Sequence, residues 1–148
     1  MSDMVYIGVD PGKSGAIAAV WADGLPLGHV KNTEEDRALY EWLLRFAPGQ
    51  LFAHIEKVHA MPGQGVASTF KFGASYGALK MLLACSAVPF SEVTPAKWQG
   101  ALGCRSKGDK NVTKRKAQEL FPTVRMTHAI ADAYLIAEYC RRARLGLL

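Results

Sequence analysis

Three carboxylates stand in stretches where little else is polar. Asp10 closes the run Met4-Val5-Tyr6-Ile7-Gly8-Val9, Glu56 closes Leu51 to Ile55, and Asp132 lies in Ala129-Ile130-Ala131-Asp132-Ala133. Each is the only acid of its run, and none of the three runs holds a Lys or Arg. An ionised carboxylate in apolar surroundings is costly unless it is paired or bound to a cation. Three of them converging at one end of a sheet repel one another, and a divalent ion removes that cost. An all-oxygen donor set suits Mg²⁺ or Mn²⁺. Taken singly, each acid has a plainer role: a turn former before Pro11-Gly12, a loop-end carboxylate, a residue on the polar face of a helix. His128 precedes Asp132 by one helical turn and so shares its face. It reads as a further ligand, a proton acceptor for water, or a helix-start histidine. His54 is in phase with Glu56 but reads as a packed side chain, and His29 carries no functional case.

A second feature is charge. The chain has a net charge of +5, and the whole excess sits between Arg105 and Lys116. There Arg105, Lys107, Lys110, Lys114, Arg115 and Lys116 face Asp109 alone. Such a run is either a solvated face or a track for backbone phosphates. A third is the turn Asp10-Pro11-Gly12-Lys13-Ser14-Gly15, which between two strands can hold a metal or cradle a phosphate through its N–H groups. It is not a Walker loop, since no helix follows and the spaced upstream glycine is missing.

Elements must bring these residues together. Met4 to Asp10, Ser14 to Trp21 and Leu27 to Val30 read as three strands, the last two joined by the hairpin signal Asp23-Gly24. Thr33 with Glu34, Glu35 and Asp36 reads as a helix start. Leu39, Trp42, Leu43 and Phe46 follow at amphipathic spacing, and Pro48-Gly49 ends the helix. Leu51 to Ile55 is a buried strand. After the loop Met61 to Gly65, Ser68 is the expected cap of a long helix with Phe72, Tyr76, Leu79 and Leu83 on one stripe. Val88 to Val93 is a strand, Pro95 opens a short helix carrying Trp98, and Thr113 is the expected cap of a helix ending at Phe121-Pro122. The last helix, from about His128 to Leu145, is apolar nearly all round and basic at its end. Three antiparallel strands followed by alternating strands and helices predict a mixed α/β sheet covered by helices.

The length of 148 residues predicts one domain over 1–148, and 49% hydrophobic with 21% charged residues excludes wholesale disorder. Cys85, Cys104 and Cys140 form no CxxC pair, which argues against a disulfide framework or a zinc ribbon. The longest apolar stretch, Met81 to Phe90, is too short to cross a bilayer, and no secretory pattern opens the chain. The expectation is a cytoplasmic protein with no membrane partner.

In order along the chain stand Ile7-Gly8-Val9-Asp10-Pro11-Gly12 with Gly15, Ile55-Glu56-Lys57-Val58, Ala67 to Gly77, Glu92-Val93-Thr94-Pro95, and His128 with Ala131 to Ala137. Together they resemble the RuvC-type Holliday junction resolvases, and the shorter bacteriophage-type members above all, from about Val5 to Tyr139. The resemblance implies an RNase H-like fold: a mixed five-stranded sheet, three antiparallel strands first, with helices on both faces. It implies a homodimer that cuts branched DNA such as four-way junctions by two-metal hydrolysis, leaving 5′-phosphate and 3′-hydroxyl ends. Two Mg²⁺ ions per site are implied, with Mn²⁺ as a substitute, and a bacterial host's cytoplasm if the protein is phage-encoded. Asp10, Glu56 and Asp132 match the family's metal acids, and His128 falls where another acid is usual. His59 falls where cellular members place an aromatic that stacks at the crossover. Lys110 and Lys114 lie near the position of a lysine at the scissile phosphate. Two other readings stay open: a non-catalytic branched-DNA-binding module that kept the fold, and an actin-like ATP-binding domain, for which one domain is too little.

Overall fold

A computed structural model describes residues 3–47 and 49–148. Five strands form one sheet: β1 (Val5–Val9), β2 (Ala16–Trp21), β3 (Pro26–Lys31), β4 (Leu51–Glu56) and β5 (Phe90–Val93). Five helices accompany them: α1 (Asp36–Leu43), α2 (Val66–Cys85), α3 (Pro95–Leu102), α4 (Lys110–Leu120) and α5 (His128–Leu145). The strand order is β3-β2-β1-β4-β5. The first three strands pair antiparallel, while β4 joins β1 and β5 joins β4 in parallel. This is the expected mixed sheet.

Strand alternation assigns the two faces. Val5, Ile7, Val9, Ile17, Ala19, Ala53 and Ile55 pack with Leu39, Trp42, Leu79 and Leu83 from α1 and α2. Tyr6, Ala16, Ala18 and Val20 pack on the other face with Trp98, Ala117 and the buried run of α5. The central helix is α5, buried continuously from Ala133 to Cys140 and seated on β1, β2 and β4. It comes so close because Gly8 has no side chain: a Cβ there would stand 2.1 Å from the Ala133 carbonyl oxygen and 2.2 Å from the Ala137 nitrogen. Small residues on both surfaces therefore set the depth of Asp132.

Helix starts differ from the sequence reading. Thr33 lies in the turn that leaves β3, closed by Glu34 N–H donating to the Lys31 carbonyl, so α1 begins after Glu35. Phe46 lies beyond α1, yet its ring still meets Trp42 edge-on at 5.2 Å. The expected stop at Pro48 lies outside the described residues. Helix α2 begins at Val66 after Gly65, so Ser68 is inside its first turn rather than its cap. Asp109, not Thr113, caps α4, its carboxylate accepting from the Asn111 N–H at 2.9 Å. An aspartate there is the better cap, since its charge also complements the helix dipole. That leaves Thr113 buried within the helix. Strand β5 begins at Phe90, past Pro89, which has no N–H for the ladder. No helix among the described residues is long and apolar enough to cross a membrane.

Candidate active site

Asp10 and Glu56 leave the sheet side by side. Strands β1 and β4 run parallel with Val9 opposite Ile55, so the next residue of each emerges at the same edge. Asp132 reaches that edge from the second turn of α5, held against β1 at Gly8. All three carboxylates line one cavity of about 550 Å³. Arg105, Lys107 and Lys110, from the segment between α3 and α4 and the start of α4, form part of its wall. Pro11, Phe72, Pro95 and Gln99 complete much of the rest.

The electrostatics are those of a crowded acidic site. Burial, followed by the charges of Glu56 and Asp132, pushes the Asp10 carboxyl well above its usual range, with Lys110 opposing. Burial also raises Glu56, and Asp132 adds to it; a hydrogen bond from Trp98 and the charge of Lys110 pull the other way. Asp132 is raised by burial and held down by a hydrogen bond from Thr113, by Lys110 and by His128. Desolvation leads in each case, and mutual repulsion adds to it at Asp10 and Glu56. Carboxylate oxygens of like charge fit a hard divalent cation, which would relieve the repulsion and lower all three. Among the described residues, no three His, Cys, Asp or Glu side chains close into a ready-formed metal cluster.

The loop that carries Asp10 is held from three sides. The Asn32 amide donates to the carbonyls of Asp10 (2.7 Å) and Gly12 (2.8 Å). Gly12 N–H donates to Ser75 Oγ of α2 at 3.1 Å. Gly15 admits the close return of the chain, because a Cβ there would lie 2.0 Å from the Asp10 carbonyl oxygen. Behind Glu56, the fully buried Trp98 donates its indole N–H to Oε2 at 2.8 Å.

The other sequence-predicted residues are spread around this centre. His128 is exposed, outside the cavity wall, one turn before Asp132. His59 is exposed in the loop after β4, also outside the wall. Lys114, Arg115 and Lys116 continue along α4, with Arg115 exposed and its neighbours half-buried. His54 is packed as expected, edge-on to Tyr139 at 5.2 Å, and burial lowers it to about 4. No local pattern marks Asn32 and Ser75 as supports of the Asp10 loop, Thr113 as a partner of Asp132, or Trp98 as the donor to Glu56. A buried indole N–H must find an acceptor, so Trp98 four residues after Thr94 was a signal without an address. Asn32 had none.

The fold is shared with solved RuvC structures. Two solved structures are similar over nearly the whole chain. One is T. thermophilus RuvC in complex with Holliday junction substrate, 22% identical, covering 97% of each chain with a TM-score of 0.70. The other is the Thermus thermophilus RuvC structure, 23% identical, covering 97% of this chain and 98% of that one, with a TM-score of 0.69. No protein-family model and no curated protein matches the sequence.

Proposed function

We propose that this chain is a metal-dependent endonuclease that cuts four-way and other branched DNA as a homodimer. The carrying observation is the meeting of Asp10, Glu56 and Asp132 in one cavity whose wall is completed by Arg105, Lys107 and Lys110. The full-length likeness to a RuvC solved on a Holliday junction supports the choice of substrate. The three carboxylates, with His128 at the rim next to Asp132, would hold two Mg²⁺ ions, or Mn²⁺ in their place. Bound there, the ions would lower the pKa of a bound water and offset charge on the scissile phosphate. The chain itself does the rest. Lys110 and its neighbours draw the phosphate toward the carboxylates and offset the repulsion between them. Lys114, Arg115 and Lys116 follow the backbone beyond the cut without reading bases. His59, free on its loop, faces the branch.

The homodimer reading rests on α2. Its twenty residues are rich in apolar side chains, yet only Leu79 and Leu83 are buried. Val66, Phe70 and Met81 are 89%, 78% and 62% exposed. A large uncovered apolar surface marks an interface, and a second copy of the chain suits a junction with two strands to cut.

The test is a labelled four-way junction beside matched duplex and single strand, with Mg²⁺ or with EDTA. Paired nicks in the junction alone, lost in EDTA, are the expected result. Equal cutting of duplex would make the protein a general nuclease. Tight junction binding with no cleavage in either Mg²⁺ or Mn²⁺ would make it a binding module.

A further inference from the structure

We infer that Trp98 is a positioning residue for Glu56, a neutral hydrogen-bond donor that fixes the carboxylate for a divalent ion without neutralising it. The inference rests on the reading of Glu56 as a metal ligand given above.

The fold goes to some length to put the indole there. Thr94 caps α3 by accepting from the Lys97 N–H, Pro95 occupies the first turn, and Gly103 ends the helix in the left-handed region at φ 68°. The result is an eight-residue helix whose inner face is Trp98 and Leu102. Trp98 has no exposed surface and packs in the cluster with Val93, Leu102 and the inner face of α5. An indole can only donate. Its partner is Glu56 Oε2 at 2.8 Å, 42 residues away in sequence. One oxygen of Glu56 is thus held from behind while the carboxylate lines the cavity.

The choice of a neutral donor matters. A lysine or arginine in this place would form an ion pair and cancel charge that a divalent ion needs. The indole N–H restrains the side chain and leaves its full negative charge for the ion. Metal-ligating carboxylates are commonly oriented by such outer hydrogen bonds, and losing one costs about 10–100-fold in metal affinity or activity.

Trp98→Phe tests this, since it keeps an aromatic ring and deletes the donor. Mn²⁺ binding to the DNA-free protein, followed by the paramagnetic resonance of free Mn²⁺, should weaken by roughly tenfold or more. Junction binding in EDTA should not change. If Trp98→Phe melts early, β-(3-benzothienyl)alanine at position 98 places sulfur where the N–H was and keeps the bicyclic shape. A purely structural role predicts that this isostere binds Mn²⁺ as the parent does, and that result would overturn the inference. A second readout is direct. With Trp21→Phe and Trp42→Phe, Trp98 is the sole indole, and its emission should change on Mg²⁺ titration and lose that response in Glu56→Gln. A silent Trp98 in a protein that binds Mg²⁺ through Glu56 also counts against it. Mn²⁺ affinity unaltered by Glu56→Gln is a different failure: it removes Glu56 from the metal site and the present inference falls with that reading.

Discussion

At the scale of single residues, the molecule keeps three carboxylates at one edge of its sheet against their own repulsion. Asp10 bears most of this, since burial, Glu56 and Asp132 all raise it. A carboxyl raised in the folded state binds protons more tightly there than in the unfolded chain. Its destabilising effect is full above the folded pKa and fades as pH falls toward the unfolded value, about 3.9 for Asp. In EDTA at neutral pH, Asp10→Asn should therefore melt higher than wild type, and thermal scans should show the gap closing as the pH falls toward about 4. The same substitution should abolish cleavage, as should Glu56→Gln and Asp132→Asn, while a gel-shift assay shows junction binding kept or improved. Wild-type cleavage in any of these would remove that residue from the site. His128, exposed at the rim, should matter less: His128→Ala should slow single-turnover cleavage by a smaller factor than Asp132→Asn.

At the scale of elements, α5 decides whether the site exists, because it brings Asp132 down onto β1. Gly8→Ala would drive a methyl group into the backbone of α5 at Ala133 and Ala137. Overpacking of this kind costs about 1–3 kcal/mol or more. Cleavage should fall with stability, whereas an alanine at Gly73, inside α2 where a Cβ meets nothing within 4 Å, should not lower the melting temperature and should raise it slightly through helix propensity. The far end of α5 is tied by Glu138, which is buried and accepts from Arg141 and Arg142 at 2.8 and 2.6 Å. Arg141 also donates to the Ala22 carbonyl at 2.9 Å, linking the helix to the hairpin between β2 and β3. Burial alone would raise the Glu138 carboxyl, but the bonds from the two arginines outweigh it and hold it below its usual range. Its stabilising effect is present above the unfolded pKa and is lost as pH falls through the folded one. Glu138→Gln should cost about 3 kcal/mol at pH 7, as removal of one partner of a buried ion pair does. The difference from wild type in urea unfolding should shrink as the pH drops below about 4.

At the scale of the whole molecule, the excess positive charge is concentrated in one segment. The entire positive excess lies on the segment from Arg105 to Lys116, beside the carboxylate cavity. Replacing Lys114 and Lys116 with Ala should weaken binding to all branched substrates alike. The slope of log K against log salt should flatten by roughly 1–2 units. An unchanged slope would make these two lysines part of a solvated face. Exposed apolar side chains also lie on α2, the helix that supplies Ser75 and Phe72 to the Asp10 loop. If the proposed dimer forms through α2, Phe70→Asp with Met81→Asp should convert it to a monomer in sedimentation velocity, with the circular dichroism of the fold retained because neither side chain is buried.

The amino-acid sequence by itself determined the order of elements, the mixed sheet and the identity of the three acids. Those signals are local: period-two and period-3.6 apolar patterns, turn residues, and a lone carboxylate at the end of an apolar run. The basic segment was legible for the same reason. Tertiary structure alone decided that the acids converge, because convergence depends on the pairing of β1 with β4 and on the contact of Gly8 with Ala133, which are far apart in the chain. It chose Lys110 over Lys114 for the cavity wall by starting α4 at Asp109, a cap that outcompeted Thr113. It assigned Asn32 to the Asp10 loop and Trp98 to Glu56 across 22 and 42 residues. A polar side chain carries no mark of its partner at such separations: the hydrogen bond forms only once the core has been packed around it.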